Sequence, residues 1–326
     1  MIDLVNQYPQ MLKDGYFLEG IISISISKKG NIYFAGMGGS AISGDIAAAV
    51  YESELNAPIY VIRDYHLPKY VDEDALVVIV SYSGNTEETL SCLDDAIKIG
   101  AKIVTISSDG ALEKKAKDNK IPFIKVAAGL PPRAALGYLL GALLKILNNS
   151  DVIKTGEKEI KNVSTFLSSK QEEYKHRSKD ISEKIQNKLP LIFASPGLTY
   201  AAGLRLKTQF NENSKLTAHL SIFPELSHNE IVNIGEYTKV DNPFSVILLR
   251  DQDESGKMKK RIDITKDVLS SHIEIQEIWS EGDSKLERCL SLVHLGDYIS
   301  VYTAELRNVD PIPVTIIEEF KREMEQ

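Results

Sequence analysis

Six consecutive apolar residues, Ala75-Leu76-Val77-Val78-Ile79-Val80, run straight into Ser81-Tyr82-Ser83-Gly84-Asn85-Thr86. An unbroken apolar run of this length reads as a strand buried on both faces, as in a parallel sheet covered by helices. The polar string behind it is then the turn that opens a helix. A helix start exposes free backbone N–H groups and the positive end of the helix dipole. Three hydroxyls and a glycine at that point form an anion cradle, most often for phosphate. The loop holds no lysine or arginine, so short directed hydrogen bonds rather than bulk charge would grip the ligand. An ordinary N-cap also favours Ser, Asn and Thr, but one cap needs one hydroxyl and this turn offers three.

The rest of the chain repeats the strand-to-helix scheme. Residues 1–29 read as a helical N-terminal arm. Strands are expected at 31–35, 59–63, 76–81, 102–107 and 122–126, with helices at 40–51, 86–100 and 133–147. Such alternation implies a parallel sheet with helices on both faces. Asn148-Asn149-Ser150-Asp151 breaks the pattern, and the Lys- and Glu-rich stretch 154–188 reads as exposed helices. The division into domains is therefore expected at 150, giving 1–150 and 151–326. The second half offers strands at 189–195, 244–250 and 272–279, and helices at 199–210, 257–271, 284–307 and 313–325. Ile32-Tyr33-Phe34-Ala35-Gly36 is echoed by Leu191-Ile192-Phe193-Ala194-Ser195, each leading to a turn and a helix. Two similar α/β halves would produce this echo, and so would any two strand–turn–helix units.

A second glycine-rich turn, Gly36-Met37-Gly38-Gly39-Ser40-Ala41, follows the first strand. It satisfies the loose dinucleotide fingerprint G-x-G-x-x-A, with Asp64 near the end of the next strand as a ribose-binding acid. It also serves as a tight turn whose glycines let backbone amides approach a ligand. Ser40 adds a hydroxyl at the helix start. The hydroxyl-rich turn at 81–86 sits where a dinucleotide enzyme has no need of a phosphate cradle. Neighbouring parallel strands would bring both turns to one sheet edge, where open α/β sheets bind ligands.

Four further residues stand out. Glu212 lies between two amides in Asn211-Glu212-Asn213, at a helix end where glutamates are usually solvated. His228 sits in Phe223-Pro224-Glu225-Leu226-Ser227-His228-Asn229-Glu230, and histidine both gives and takes protons near neutral pH. His219 is its competitor and reads as a strand histidine. Arg133, in Pro131-Pro132-Arg133-Ala134-Ala135, stands at the first turn of an apolar helix, the unfavourable end for a cation. Lys321, in the last helix, reads by spacing as an i,i+3 partner of Glu318.

These segments carry a resemblance. Ser81-Tyr82-Ser83-Gly84-Asn85-Thr86 behind a buried strand resembles the phosphosugar loop of the sugar isomerase (SIS) domain family. Gly38-Gly39-Ser40-Ala41-Ile42-Ser43-Gly44-Asp45, Asn211-Glu212-Asn213 through Lys215, and the 223–230 string are similar to segments of the archaeal-type bifunctional phosphoglucose/phosphomannose isomerases. The resemblance implies an α/β fold of two SIS-like, doubly wound (flavodoxin-like) domains with mainly parallel sheets. It implies a phosphate site of Gly38, Gly39, Ser40, Ser81, Ser83 and Thr86. Glu212 is implied as the base that moves a proton between C1 and C2, and Arg133 as the cation that stabilises the enediolate. His228, from a partner subunit, and Lys321 are implied in ring opening. The expected protein is a homodimer with a shared active site, acting on a phosphorylated hexose: glucose 6-phosphate, and mannose 6-phosphate with it, interconverting with fructose 6-phosphate.

Aldose–ketose isomerisation needs a proton carrier, an acid/base for ring opening and a cation near the developing oxyanion, but no metal and no redox cofactor. No metal motif appears: His228 is followed by Asn-Glu-Ile-Val and lacks the second histidine of H-E-x-x-H. Cys92 and Cys289, read as helical and in different domains, suggest core packing and a reducing compartment. A net charge of -8 argues against nucleic acid and anionic membranes as partners. No signal peptide and no membrane-spanning run are read, so a cytoplasmic protein is expected. Two rivals remain at this point: a non-catalytic sugar-phosphate-binding SIS regulator, and an NAD(P)-dependent oxidoreductase built on the first glycine turn.

Overall fold

In the computed structural model, which describes residues 1–20, 24, 31–55 and 57–324, the alternation of apolar strands and helices builds two α/β units. The first comprises Asn6–Ser169 and Gly282–Cys289; the second comprises Met1–Val5, Lys170–Glu281 and Leu290–Gln326. The expected boundary at 150 falls just past an apolar helix, whereas the units divide between Ser169 and Lys170.

The first unit holds most of α1 (Ile2–Tyr16), then β1 (Ile32–Ala35), α2 (Gly38–Tyr51), β2 (Ile59–Ile62), β3 (Leu76–Val80) and α3 (Glu87–Ile99). It continues through β4 (Lys102–Ser107), α4 (Ala111–Asp118), β5 (Phe123–Lys125), a 3-10 turn (Pro132–Ala135), α5 (Leu136–Asn149) and α6 (Glu157–Ser169). The strand order is β2-β1-β3-β4-β5, every pair parallel. This is the flavodoxin-like order, with its switch point between β1 and β3. All five residues of β3 are buried, as a strand covered on both faces requires. Tyr33, Ala35, Val77 and Ile79 pack on Cys92, Leu93 and Ala96 of α3 and Leu112 of α4. Phe34 points the other way, onto Gly44 of α2. The sheet is thus clothed on both sides.

The second unit runs through α7 (Gln171–Ile185), β6 (Leu189–Ala194), α8 (Leu198–Gln209), a π-helical turn (Phe210–Ser214), β7 (His219–Ile222) and a 3-10 turn (Glu225–His228). It ends with α9 (Ile231–Gly235), β8 (Phe244–Arg250), α10 (Gly256–Leu269), β9 (Ile275–Trp279), most of α11 (Lys285–Leu306) and α12 (Thr315–Met324). Its parallel sheet has the order β7-β6-β8-β9. The echo between the halves has a structural counterpart: β1 and β6 both open their sheets and both lie between the next two strands.

Several local expectations change. Among the described residues the helical arm is α1, which ends at Tyr16; residues 21–23 and 25–30 of the expected arm lie outside the described residues. The expected helix at 133–147 starts late because two prolines hold the chain extended, leaving a 3-10 turn closed by Ala134 N–H on the Pro131 carbonyl. α6 and α7 are amphipathic rather than simply exposed: Ile160, Val163 and Leu167, and Tyr174, Ile181 and Ile185, form buried stripes at helical spacing. Cys289 falls in the Gly282–Cys289 segment and so in the same unit as Cys92. Among the described residues no helix is long and apolar enough to cross a membrane.

Candidate functional site

In the first unit β1 and β3 are parallel neighbours, so the turns that follow them leave the sheet at the same edge, at the switch point. A hydrogen bond ties the two turns together: the Tyr82 backbone N–H donates to Ser40 Oγ at 3.2 Å. Ser40 is buried and sits in the first turn of α2, which begins at Gly38, earlier than the sequence suggested. Because Ser40 Oγ accepts from the backbone, its own proton remains for an anionic ligand.

The turn after β3 is organised the same way. The Gly84 N–H donates to Ser81 Oγ at 3.1 Å, the Asn85 N–H donates to Ser83 Oγ at 3.4 Å, and Ser81 Oγ lies 2.8 Å from Thr86 Oγ1. Thr86 is the N-cap residue of α3 but makes no side-chain cap bond, so the ordinary capping reading does not hold for it. Tyr82 anchors the turn from beneath, its hydroxyl donating to the Ala127 carbonyl at 2.9 Å and accepting from Leu130 N–H at 3.0 Å. Gly84 has φ +72°, and a β-carbon there would lie 1.6 Å from the Asp109 carbonyl oxygen. Only glycine fits this turn. Glu87 and Glu88 occupy the first turn of α3, so its dipole is already matched by carboxylates. The groups this turn offers to a ligand are hydroxyls and backbone amides.

Arg133 belongs to the same edge. It is 2% exposed, not the surface arginine its composition class suggests. A β-carbon on Gly39 would meet Arg133 Cα at 3.1 Å and the Pro132 carbonyl at 3.3 Å. The first unit thus brings Gly38, Gly39, Ser40, Ser81, Ser83, Thr86 and Arg133 together.

In the second unit the expected residues sit on three separate segments. Glu212 is half-buried on the π-helical turn that extends α8. Its neighbours hold that turn rather than simply flanking the carboxylate. Asn213 donates its amide to Ser300 Oγ at 2.9 Å, and Ser214 Oγ donates to the Ser300 carbonyl. Lys215, in the left-handed region at φ +49°, donates to the Glu212 carbonyl at 2.9 Å and the Asp310 carbonyl at 2.6 Å. Behind this turn lies a buried polar network that the sequence reading missed. Arg205 grips Asp297 through Nε and an Nη at 2.9 and 2.7 Å, Gln209 donates to the same carboxylate at 3.1 Å, and Ser300 Oγ donates to the Asp297 carbonyl at 2.8 Å. Burial pushes the Asp297 carboxyl up, against the pull of Arg205 and Gln209.

His228 ends the 3-10 turn after the cis Phe223–Pro224 peptide and is exposed. His219 opens β7, as expected of a strand histidine, with Nε2 3.4 Å from Glu230. Lys321 is exposed on α12, and no ion pair with Glu318 forms. Burial pushes the Cys92 thiol up to about 12, and its Sγ donates to the Asp64 carbonyl at 3.2 Å, a core residue and not a nucleophile. Among the described residues no group of three or more His, Cys, Asp or Glu stands ready to hold a metal ion.

A parallel sheet with hydroxyl-lined turns at its switch point, together with a second unit built on a parallel sheet, defines a two-domain sugar isomerase (SIS) protein. Residues 25–126 match the SIS domain family, and residues 174–324 match the family described as bacterial phospho-glucose isomerase C-terminal SIS domain. The chain is 36% identical over 334 aligned positions to a bifunctional phosphoglucose/phosphomannose isomerase from Caldicellulosiruptor bescii, covering 99% of this chain and 98% of the relative. It is 38% identical to the protein of that description from Aquifex aeolicus, covering 90% of each. In structure it resembles the C-terminal domain of glucosamine-fructose-6-phosphate aminotransferase from Francisella tularensis, with a TM-score of 0.73 at 16% identity over 96% of this chain and 97% of that one. That likeness carries the fold alone. The chain belongs to the bifunctional phosphoglucose/phosphomannose isomerase family. Membership favours the sugar-phosphate reading of the first glycine turn over the dinucleotide one.

Proposed function

We propose that this protein is an aldose–ketose isomerase that interconverts glucose 6-phosphate and mannose 6-phosphate with fructose 6-phosphate. The observation that carries the proposal is the pair of hydroxyl turns tied at the β1/β3 switch point through Tyr82 N–H and Ser40 Oγ. Ser40, Ser81, Ser83 and Thr86 donate to the sugar's phosphate, and the amides of Gly38 and Gly39 line it. The first unit serves as the phosphosugar-binding half, and the second unit supplies Glu212, His228 and the closing helices.

His228 and Lys321 open the ring by moving protons at O5 and O1. Glu212 then takes a proton from C1 of the ketose, exchanges it with solvent and delivers a proton to C2, while the O1 hydroxyl proton passes to O2, or the reverse. The pair of electrons left behind makes an enediolate, whose oxygens Arg133 stabilises. Hydrogen moves only as protons, so the overall reaction consumes no oxidant or reductant. A base that serves both C2 epimers acts on a common enediolate after rotation about C2–C3. The protein works as a cytoplasmic homodimer in which His228 serves the partner's site. Its exposure on a turn suits that task.

Product analysis after incubation with fructose 6-phosphate in excess EDTA tests the reading. Formation of both aldose phosphates supports it. Glucose 6-phosphate alone would restrict it to one epimer. No aldose phosphate would turn the chain into a sugar-phosphate sensor.

A further inference from the structure

Every hydrogen-bonding group of Tyr82 is in use, and its partners lie on three other segments of the first unit. Its N–H donates to Ser40 Oγ at 3.2 Å, on the turn after β1. Its carbonyl accepts from the Ser108 N–H at 3.0 Å and from Ser108 Oγ at 2.7 Å, on the turn after β4. Its hydroxyl donates to the Ala127 carbonyl at 2.9 Å and accepts from the Leu130 N–H at 3.0 Å, between β5 and the 3-10 turn. The residue is 4% exposed. Burial pushes its hydroxyl up from the ordinary tyrosine range, so the donated proton stays in place at neutral pH. A buried tyrosine oxygen needs one partner; this one has two, both on the same loop.

That loop leads directly to Arg133. Leu130 is followed by Pro131 and Pro132, whose rings fix φ, and a residue before proline is itself held extended. Pro131 stands at φ -56° and ψ 133°. The Ala134 N–H then closes the 3-10 turn on the Pro131 carbonyl at 2.8 Å. A stretch of restricted backbone therefore joins the Leu130 anchor to Arg133. Where Tyr82 Oη holds Leu130 decides where the Arg133 Cα stands. The opposite side is closed by Gly39, where a β-carbon would lie 3.1 Å from that Cα.

We propose that Tyr82 is a positioning residue that sets the separation between the hydroxyl turns and Arg133. The inference rests on the proposed function, in which one substrate reaches from those turns to that arginine. The phosphate is carried on C6 and charge develops on the oxygens of C1 and C2, so the two grips must stand one sugar length apart. Tyr82 touches both. Its backbone belongs to the turn after β3 and binds Ser40, and its hydroxyl holds the loop of Arg133. A displaced stabilising group costs rate steeply, because its hydrogen bonds are aimed at a charge that exists only in the transition state. The Tyr82 hydroxyl therefore acts on turnover, through Arg133, and not on the phosphate grip.

Tyr82→Phe removes one oxygen and leaves the backbone bonds to Ser40 and Ser108. Its kcat on fructose 6-phosphate is expected to fall about ten-fold while KM moves less than about two-fold. A wild-type kcat would overturn the inference and leave the proposed function standing. The double variant Tyr82→Phe/Arg133→Lys gives the sharper reading. If Tyr82 acts through Arg133, the double variant turns over about as slowly as Arg133→Lys alone; losses that multiply would overturn the inference. Pro132→Gly keeps every Tyr82 contact and softens the link to Arg133, so its kcat should fall as well, and an unchanged kcat there would also overturn it. Hydrogen exchange over residues 127–135 reads the brace without activity. Tyr82→Phe should speed it at least about five-fold there and leave α3 unchanged. Unaltered exchange over 127–135 would overturn the inference. Faster exchange in a protein whose wild type fails to isomerise fructose 6-phosphate would support the brace and remove the proposed function.

Discussion

Arg133 Cα lies 3.1 Å from the point where a β-carbon on Gly39 would sit. The two residues come from turns 94 positions apart (133 less 39), yet their backbones touch at the sheet edge that carries both hydroxyl turns. Gly39→Ala has to push those turns apart by a few tenths of an ångström. Its expected effect is a rise in KM for fructose 6-phosphate of about ten-fold, with the fold intact. Arg133→Lys keeps the charge but loses the planar fork, and should lower kcat by roughly a hundred-fold while moving KM little. Steady-state kinetics of the two variants separates these effects.

The hydroxyls of the turn after β3 have graded roles. Ser83 is less buried than Ser81 and takes only one backbone bond, so Ser83→Ala should raise KM without unfolding the turn. Ser81 accepts from Gly84 and meets Thr86, so Ser81→Ala removes both the internal brace and a ligand contact. We expect KM to rise about ten-fold for Ser83→Ala and more for Ser81→Ala, at about 1–2 kcal/mol per lost bond. Equal and unchanged KM values would remove the phosphate assignment.

Much of the fold was legible because apolar runs are local signals. The strands at 102–107 and 244–250 match β4 and β8 residue for residue. Of β7 only His219 reads as strand, because His219 and Ser221 make the segment only half apolar, and α4 is hidden by its lysines. The two hydroxyl turns were legible for the same local reason: their hydroxyls and glycines are contiguous. What pairs across long separations was not. Arg205 and Asp297 stand 92 residues apart, and only packing reveals that their ion pair backs the turn of Glu212. Arg133 sits on a loop whose two prolines suggested a surface helix start, while its burial depends on Gly39.

Acid should destabilise the second unit through His294. Its Nε2–H donates to the Val5 carbonyl at 3.0 Å, and burial holds the imidazole down at about 4. The unfolded chain takes up this proton near pH 6.5, while the fold refuses it until about 4. The unfolded state therefore binds more protons between these values, and stability falls as pH drops through that window. The loss attributable to His294 should reach about 2.5 kcal/mol at pH 4.5. Urea unfolding of wild type and His294→Gln at pH 7 and 4.5 measures it. The variant should lose distinctly less on acidification.

Mixing tests whether the ring-opening pair is drawn from two chains. His228→Ala and Lys321→Ala are each expected to be nearly inactive on ring-closed substrate. Unfolding and refolding them together makes mixed dimers in which one of the two sites holds both wild-type residues. Half of the dimers should be mixed, so activity should recover to about a quarter of the wild-type level. No recovery would place both residues in a single chain's site.

Proton transfer by Glu212 is the centre of the account, and solvent isotope incorporation reads it directly. Fructose 6-phosphate is converted in deuterium oxide, and the aldose phosphates are examined by NMR. The account requires deuterium at C2 of both products. With Glu212→Gln, incorporation and turnover should fall at least a thousand-fold, while inhibition of substrate binding by a sugar-phosphate competitor is retained. Products free of deuterium, or a Glu212→Gln variant that turns over at the wild-type rate, would contradict it.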